Sequence, residues 1–298
     1  RSSRTNWAAR WKISRSSRAQ IIADELGCAL EDIEIKQGDS SLVPMSTGTY
    51  ASRSAVIAGG VATKTARVVK TKVLRAASLL MDVPIDDLDA SGGIIRARSS
   101  NATMTFKELA NAVYMQMGRI PHDKREDLTG SESYDPYLGT ACSSCHVAVV
   151  EVDPETYGVR VTDYVVAEDC GRIINPMIVD GQVHGAVAQG IGAALLEEIH
   201  YDDDGQLVTA SLADYLLPLA TDVPDIGIVH IEADLPNNVG GFRGMGEGGT
   251  IGAPAAIANA ISDALSPIGI EIQTLPATPD RLFRLVAQSR ATHQQEGQ

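Results

Sequence analysis

The stretch GMGEGGTIGAPAAIANAIS, residues 244–262, combines a glycine-rich loop with the start of a helix. Gly244, Gly246 and Gly249 form the pattern G-x-G-x-x-G, which binds the pyrophosphate of dinucleotides when it directly follows a strand. Small apolar residues with helical spacing come next. The glycines therefore either bind a nucleotide or surround the acid in their middle, Glu247.

The surroundings of this loop disfavour nucleotide binding. About ten residues, including PNNVGG at 236–241, separate Gly244 from the nearest predicted strand. No predicted strand ending in an acid follows the helix, although such an acid normally binds the ribose. Glu247 itself would repel a pyrophosphate. The pattern therefore favours a loop built around Glu247.

A carboxylate in this loop has few polar neighbours. Desolvation raises the pKa of such a group towards neutrality, which suits a general base. Glycines let the backbone approach a bulky ligand, and the positive end of the following helix favours an anion there. These features predict a base beside an anionic, backbone-bound cofactor. A Glu247 that only caps the helix is an equally open interpretation.

Composition limits the class of protein. The chain has 298 residues, enough for one or two domains, and a net charge of −13, which disfavours nucleic acid as a partner. No apolar run approaches the length of a membrane span. Four scattered cysteines predict a reducing compartment, the cytoplasm, rather than a disulfide-bonded framework.

The first 18 residues, RSSRTNWAARWKISRSSR, contain five Arg, one Lys and no acid. Transit peptides share this composition, but no apolar periodicity runs through the stretch. We predict that residues 1–18 are a non-native or disordered segment.

Periodicity and turn residues predict an α+β fold, because strands and helices are intermixed without a strict βαβ rhythm. Residues 19–140 and 141–290 are expected to form two lobes, followed by a frayed tail at 291–298. Helices are expected at 19–26, 54–81, 105–116, 175–198, 252–265 and 279–288. Gly27 is expected to end the first of these helices, and Thr105 with Glu108 to form a capping box at the start of the third. Strands are expected at 32–40, 92–99 and 225–234, with a β-hairpin at 146–171.

The motif CSSCH at 142–146 matches the C-x-x-C-H attachment site of c-type haem. His146 begins a strongly alternating strand, which leaves it little freedom to become an axial ligand. A redox pair or half of a zinc site is also weakly supported, since no second pair of Cys or His lies at ligand spacing. Haem attachment through Cys142, Cys145 and His146 is kept as an alternative.

Two further segments carry polar groups suited to a cofactor. Residues 37–54 offer hydroxyls, backbone N–H groups and Arg53 in one loop, which suits a phosphate. Residues 168–192 form a glycine-lined segment whose amides suit hydrogen bonding to a heterocycle such as a pterin. Its polar members are Asp169, Asn175, Gln182, His184 and Gln189. Either segment alone is compatible with ordinary turn chemistry.

In this order the segments resemble one family closely. From about Gln20 to about Val286, the chain is similar to the C-terminal half of the molybdopterin-binding large subunit of the xanthine dehydrogenase/aldehyde oxidase family. The resemblance is carried by GTYASRS (48–54), EDCGRIINPMIVDGQVHGAVAQGIG (168–192), DYLLPLATDVPDI (214–226) and GMGEGGTIGAPAAIANAISDAL (244–265).

The resemblance implies two mixed α/β lobes and the oxidative hydroxylation of an aldehyde or N-heterocycle with oxygen from water. It implies that Glu247 is the catalytic base. It also implies a set of cofactor-binding residues: Gln37, Gly38, Asp39, Thr49, Ser52, Arg53, Ser54, Asp169, Asn175, Gln182, Gly244, Met245 and Gly246.

The implied cofactor is molybdenum–molybdopterin in its cytosine dinucleotide form, whose dithiolene holds the metal, so that no protein ligand is required. The implied partners are an iron–sulfur subunit with 2Fe-2S clusters, an FAD subunit and the N-terminal half of the large subunit; the substrate is a small molecule. In the family a G-Q-G-H segment precedes the first helix, whereas WKISRSSR (11–18) stands here. This departure leaves open the alternative that the chain is an inactive, cofactor-free fragment.

Overall fold

The computed structural model describes residues 17–42, 48–116, 118–136 and 140–296. The chain divides into two compact units. The first comprises Arg1–Thr140 together with Asp234–Phe242, and the second comprises Ala141–Ala233 together with Arg243–Gln298. No helix within the described ranges is both long and apolar enough to cross a membrane.

The first unit combines helices with a small antiparallel sheet. The sheet has the strand order β1-β2-β3. Its helices are α1 (Ser17–Leu26), α2 (Ser54–Met81) and α3 (Phe106–Tyr114), and its strands are β1 (Leu88–Ser91), β2 (Ile94–Ala97) and β3 (Thr103–Thr105). Short 3₁₀ turns lie at Leu30–Asp32, Ile85–Asp87 and His122–Lys124.

Apolar side chains of α2, α3 and β2 form the main core of this unit. Ala77, Ile95 and Leu109 are each at most 1% exposed and belong to one cluster. The predicted capping box of α3 is confirmed, because the Thr105 hydroxyl accepts from the Glu108 N–H and the Glu108 carboxylate accepts from the Thr105 N–H.

Gly27 ends α1 in the way the sequence predicts. Its φ is +74°, in the left-handed region that favours glycine, and a Cβ there would overlap the carbonyl oxygen of Ala90 in β1. The glycine therefore both stops the helix and lets it approach the sheet.

The second unit has helices and a mixed three-stranded sheet with the order β4-β5-β6. Strands β4 and β5 form the predicted antiparallel hairpin, whereas β6 runs parallel to β5. A parallel pair needs a crossover connection, which here carries α4. The elements are β4 (Ser143–Val152), β5 (Val159–Asp169), α4 (Pro176–Leu195), β6 (Ile226–Ile231), α5 (Gly248–Leu265), a 3₁₀ turn at Ser266–Ile268 and α6 (Pro279–Glu296).

Helices α4, α5 and α6 share one core with the sheet. Val166, Ile191, Ile257 and Leu282 are 0% exposed and belong to the same cluster. Helices α4 and α5 approach closely, because a Cβ on Gly190 would overlap the Cβ of Ala253. This close pair holds the start of α5, where Glu247 lies, against α4.

The α+β prediction is confirmed, but three boundaries differ from expectation. Residues 32–40 form no strand: they alternate in sequence but pair with no strand in the described part of the chain, and most are exposed. Ser17 and Arg18 belong to α1 rather than to a disordered segment, while residues 1–16 lie outside the described residues. Helix α6 continues to Glu296, past the expected end of the helix at 288 and into the segment expected to be a frayed tail.

Candidate functional site

The loop before α5 is fixed through its backbone. The Gly244 carbonyl accepts from the Cys142 N–H at 2.9 Å, and the Arg243 N–H donates to the Cys170 carbonyl at 2.8 Å. A turn follows, closed by the Gly248 N–H and the Met245 carbonyl at 3.1 Å. The loop is thereby tied to the start of β4 and the end of β5, and Glu247 stands at its tip.

Glu247 occupies the position before the first residue of α5 without capping it. Its side chain makes no capping hydrogen bond, so the capping interpretation is not supported. The expected desolvation is not found either, since Glu247 is exposed. The physical reason is that its neighbours Gly248 and Gly249 take the buried positions, and a Cβ on Gly249 would lie 2.8 Å from the Cβ of Ala186 in α4.

Asp169 and Asn175 have structural partners in this chain. The Asp169 carboxylate lies 3.0 Å from the Arg243 guanidinium and accepts from the Gly171 N–H at 2.9 Å. The Asn175 side chain caps α4 by accepting from the Ile178 N–H at 3.2 Å. Both residues shape the loops around the site, and their predicted contact with a cofactor stays a prediction.

One face of α4 is open to a ligand. Gln182 is exposed, and a Cβ on Gly181 or Gly185 would meet nothing within 4 Å. In the neighbouring loop, Gly246 is exposed and Met245 is half-buried against the core. The Gln182 amide can donate a hydrogen bond, and the lack of side chains at Gly181 and Gly185 leaves room for a flat heterocycle to approach the backbone.

A separate cavity lies within the first unit. Its volume is about 500 Å³, and five of the predicted cofactor residues line it: Gln37, Gly38, Thr49, Arg53 and Ser54. The predicted residues Asp39 and Ser52 are not among the lining residues. Asp39 instead accepts from the Ser41 hydroxyl and N–H, which lower its pKa.

The lining of this cavity suits an anion. Thr49 and Ser54 hydroxyls lie 2.9 Å apart, and the Arg53 guanidinium stands 4.0 Å from the Tyr50 ring centroid. Ala51 and Ser52 have φ of 49° and 50°, a strained conformation that occurs at ligand-binding loops.

Arg18 also lines the cavity and was missed by sequence reasoning. Its Nε is buried without a hydrogen-bond partner in the described part of the chain, and burial lowers its pKa. A bound phosphate would supply the missing partner. Arg18 was missed because the arginine-rich composition of residues 1–18 led us to predict a non-native or disordered segment there. Ile57 and Ala58 could have been found, because they lie one helical turn beyond Arg53 and Ser54.

The C-x-x-C-H motif has no geometry for haem. The His146 Nδ1 lies 2.9 Å from the Tyr164 hydroxyl and its Nε2 lies 3.1 Å from the Ser144 hydroxyl, so both ring nitrogens are engaged. Burial lowers the pKa of His146. Burial, reinforced by Glu168, raises the pKa of the Cys142 thiol to about 12. Within the described residues, no three His, Cys, Asp or Glu side chains are placed to hold a metal ion.

The predicted residues thus fall into two groups, one in each unit. Comparison with known proteins identifies the family to which the chain belongs. The model of the family described as molybdopterin cofactor-binding domain matches residues 14–224. The nicotine 6-hydroxylase large subunit of Paenarthrobacter nicotinovorans is 38% identical over 269 residues, which cover 89% of this chain and 33% of that subunit.

Solved structures of related enzymes match the fold of this chain. Quinoline 2-oxidoreductase from Pseudomonas putida 86 matches with a TM-score of 0.82 and 42% identity, covering 91% of this chain and 34% of that one. Carbon monoxide dehydrogenase from Oligotropha carboxidovorans matches with a TM-score of 0.84 and 31% identity, covering 93% and 34%.

The chain spans about a third of the length of the curated relatives it matches. The fold, the matched segments and the family model confirm the resemblance drawn from the four sequence motifs. The chain therefore belongs to the family of molybdopterin cofactor-binding domains found in large subunits of the xanthine dehydrogenase and carbon monoxide dehydrogenase type.

Proposed function

We propose that this chain is the cofactor-binding part of a molybdenum hydroxylase large subunit that hydroxylates an aromatic N-heterocycle with oxygen from water. Relatives with 38% and 42% identity act, by their names, on nicotine and quinoline, whereas the carbon monoxide dehydrogenases reach only 30–31%. This order favours an N-heterocycle over an aldehyde or carbon monoxide.

The first-unit cavity is assigned to the dinucleotide part of a molybdopterin cytosine dinucleotide cofactor. Arg18 and Arg53 would neutralise the pyrophosphate, and the Thr49 and Ser54 hydroxyls would donate to its oxygens. The buried Arg18 Nε, which lacks a partner in the described residues, is what supports a built anion site here.

The second unit is assigned to the pterin and the reacting centre. When bound, the molybdenum centre would supply the two-electron oxidation and the oxygen that is transferred to the substrate. Gln182, on the open face of α4, would donate to the pterin, and the N-terminus of α5 would favour its negative charge. Reducing equivalents would pass to iron–sulfur and FAD subunits.

Glu247 is assigned as the general base that accepts the proton when the oxygen attacks the substrate carbon. One observation carries this assignment. The acid is held at the tip of a loop fixed by backbone contacts, at the position before α5, yet it does not cap the helix. The fold therefore places its side chain at a fixed point beside the start of α5.

The test is Glu247→Gln in the large subunit assembled with its iron–sulfur and FAD subunits. We expect turnover to fall by roughly two or more orders of magnitude, because the amide cannot accept a proton. Molybdenum content should remain unchanged. Glu271→Gln, an exposed acid of the same unit, is the matched control and should keep full turnover. Unchanged turnover in Glu247→Gln would remove the role.

A further inference from the structure

A buried acid lies directly beneath the loop that carries Glu247. Glu168, at the end of β5, is 0% exposed, and neither of its carboxyl oxygens has a hydrogen-bond partner in the described part of the chain. A Cβ on Gly248 would overlap its Oε1 and would lie 2.8 Å from the Cys142 sulfur. The Glu168 carboxyl therefore packs against the backbone of the residue that follows Glu247.

In the described part of the chain, the groups nearest Glu168 are two thiols and an imidazole that is already paired with an acid. Cys142 and Cys170 contribute thiols whose pKa values burial raises to about 12 and about 11. His230 faces Glu168 across the β5–β6 pair, but its Nε2 lies 2.7 Å from Asp180 Oδ1, and its buried Nδ1 has no partner in the described residues.

Two other charged groups stand near the carboxyl along the chain. Asp169, the next residue, is engaged by Arg243, so that this guanidinium is already paired. Glu247 belongs to the turn above, next to Gly248, and is exposed. Burial consequently raises the pKa of Glu168, and this outweighs the opposite effects of Cys142 and His230.

We propose that Glu168 is a positioning residue for Glu247: its neutral carboxyl supports Gly248 and so fixes the turn from which Glu247 projects. This rests on the proposed function of Glu247. A carboxylate at the same place would have no partner, and it would draw water beneath Gly248 and loosen the turn. The position therefore needs an acid that stays protonated, or a neutral isostere.

The sign of the pH effect follows from the direction of the pKa shift. In the unfolded chain Glu168 releases its proton near the ordinary glutamate pKa, whereas the folded chain retains it to higher pH. Between these two values the folded state binds more protons, so stability falls as pH rises. The Glu168 contribution is fully present below the ordinary pKa and is lost as pH rises through the raised value.

The first test compares this chain with Glu168→Gln by hydrogen exchange at the amides of residues 248–250 across a pH series. Corrected for intrinsic exchange, protection in the unmodified chain should fall with rising pH, by on the order of tenfold for each pH unit between the ordinary glutamate pKa and the raised one, and should level off above the raised one. Glu168→Gln should keep its protection. Glu155→Gln, in the exposed β4–β5 turn, should behave like the unmodified chain. Parallel curves for Glu168→Gln and the unmodified chain would overturn the proposal.

The second test asks whether Gly248 and Glu168 are coupled. Gly248→Ala should lower the thermal unfolding midpoint of the unmodified chain by several degrees. In a Glu168→Ala background, which lacks the overlapping carboxyl, the same substitution should lower the midpoint by less than half as much. Equal losses in both backgrounds would contradict the contact. Neither test requires cofactor, so a failure of the Glu247 assignment would appear separately, as unchanged turnover in Glu247→Gln.

Discussion

At the scale of single residues, the fold depends on contacts between neighbours in the sequence and on contacts between distant partners. Thr105 and Glu108 are confirmed as a capping box because both partners lie within one turn of helix. Asp169 was predicted to bind cofactor, and its ion pair with Arg243 could not be foreseen, since the two residues are distant in sequence. The exposure of Glu247 was missed because the burial of Gly248 depends on Glu168 and Cys142 and that of Gly249 on α4, none of which the loop sequence contains.

At this scale the cavity of the first unit gives a direct prediction. Arg53→Ala should weaken binding of cytidine diphosphate to the chain by roughly tenfold or more, because a hydrogen bond to a charged group contributes about 1.5–3 kcal/mol. Isothermal titration calorimetry measures this. Arg67→Ala is the matched control, since Arg67 lies in α2, the helix that Arg53 directly precedes, but pairs with Glu25 at 3.0 Å. Equal losses in both variants would indicate non-specific attraction to positive charge.

Elements were predicted well where the signal is local. The bounds of α2, Ser54–Met81, match expectation because a long Ala- and Val-rich run reaches almost to Pro84. The β4–β5 hairpin also matches, since its turn residues and alternation coincide. Residues 32–40 alternate equally well but form no strand, because a strand needs a partner and no described strand pairs with them.

The pairing of α4 with α5 yields the prediction at the scale of elements. Gly190→Ala should destabilise the chain by about 1–3 kcal/mol, because its Cβ would overlap Ala253 in the core. Gly181→Ala, on the open face of the same helix, should instead stabilise it by about 0.5–1 kcal/mol, since alanine favours helix. Urea unfolding gives both values. A stabilising Gly190→Ala would show that the two helices do not pack this closely.

At the scale of the whole molecule, each unit contains its own group of candidate residues. The first unit holds the anion cavity with Arg18 and Arg53, and the second holds Glu247, Glu168 and the open face of α4. The two units meet along the chain at Thr140 and Ala141, and Asp234–Phe242 belongs to the first. Phe242 is 1% exposed and would contact a Cβ on Gly59 of α2, a contact between residues distant in sequence that periodicity does not reveal.

The alternative of an inactive, cofactor-free fragment differs from the proposed function in one property, the presence of cofactor. The most direct measurement is therefore the molybdenum and cytidine content of this chain, purified after co-expression with the N-terminal half of the large subunit and the iron–sulfur and FAD subunits. We predict about one molybdenum and one cytidine nucleotide per chain, because the first unit has a cavity suited to an anion and the second has the open face of α4 to which the pterin is assigned. An assembled complex that contains neither molybdenum nor cytidine would contradict the account.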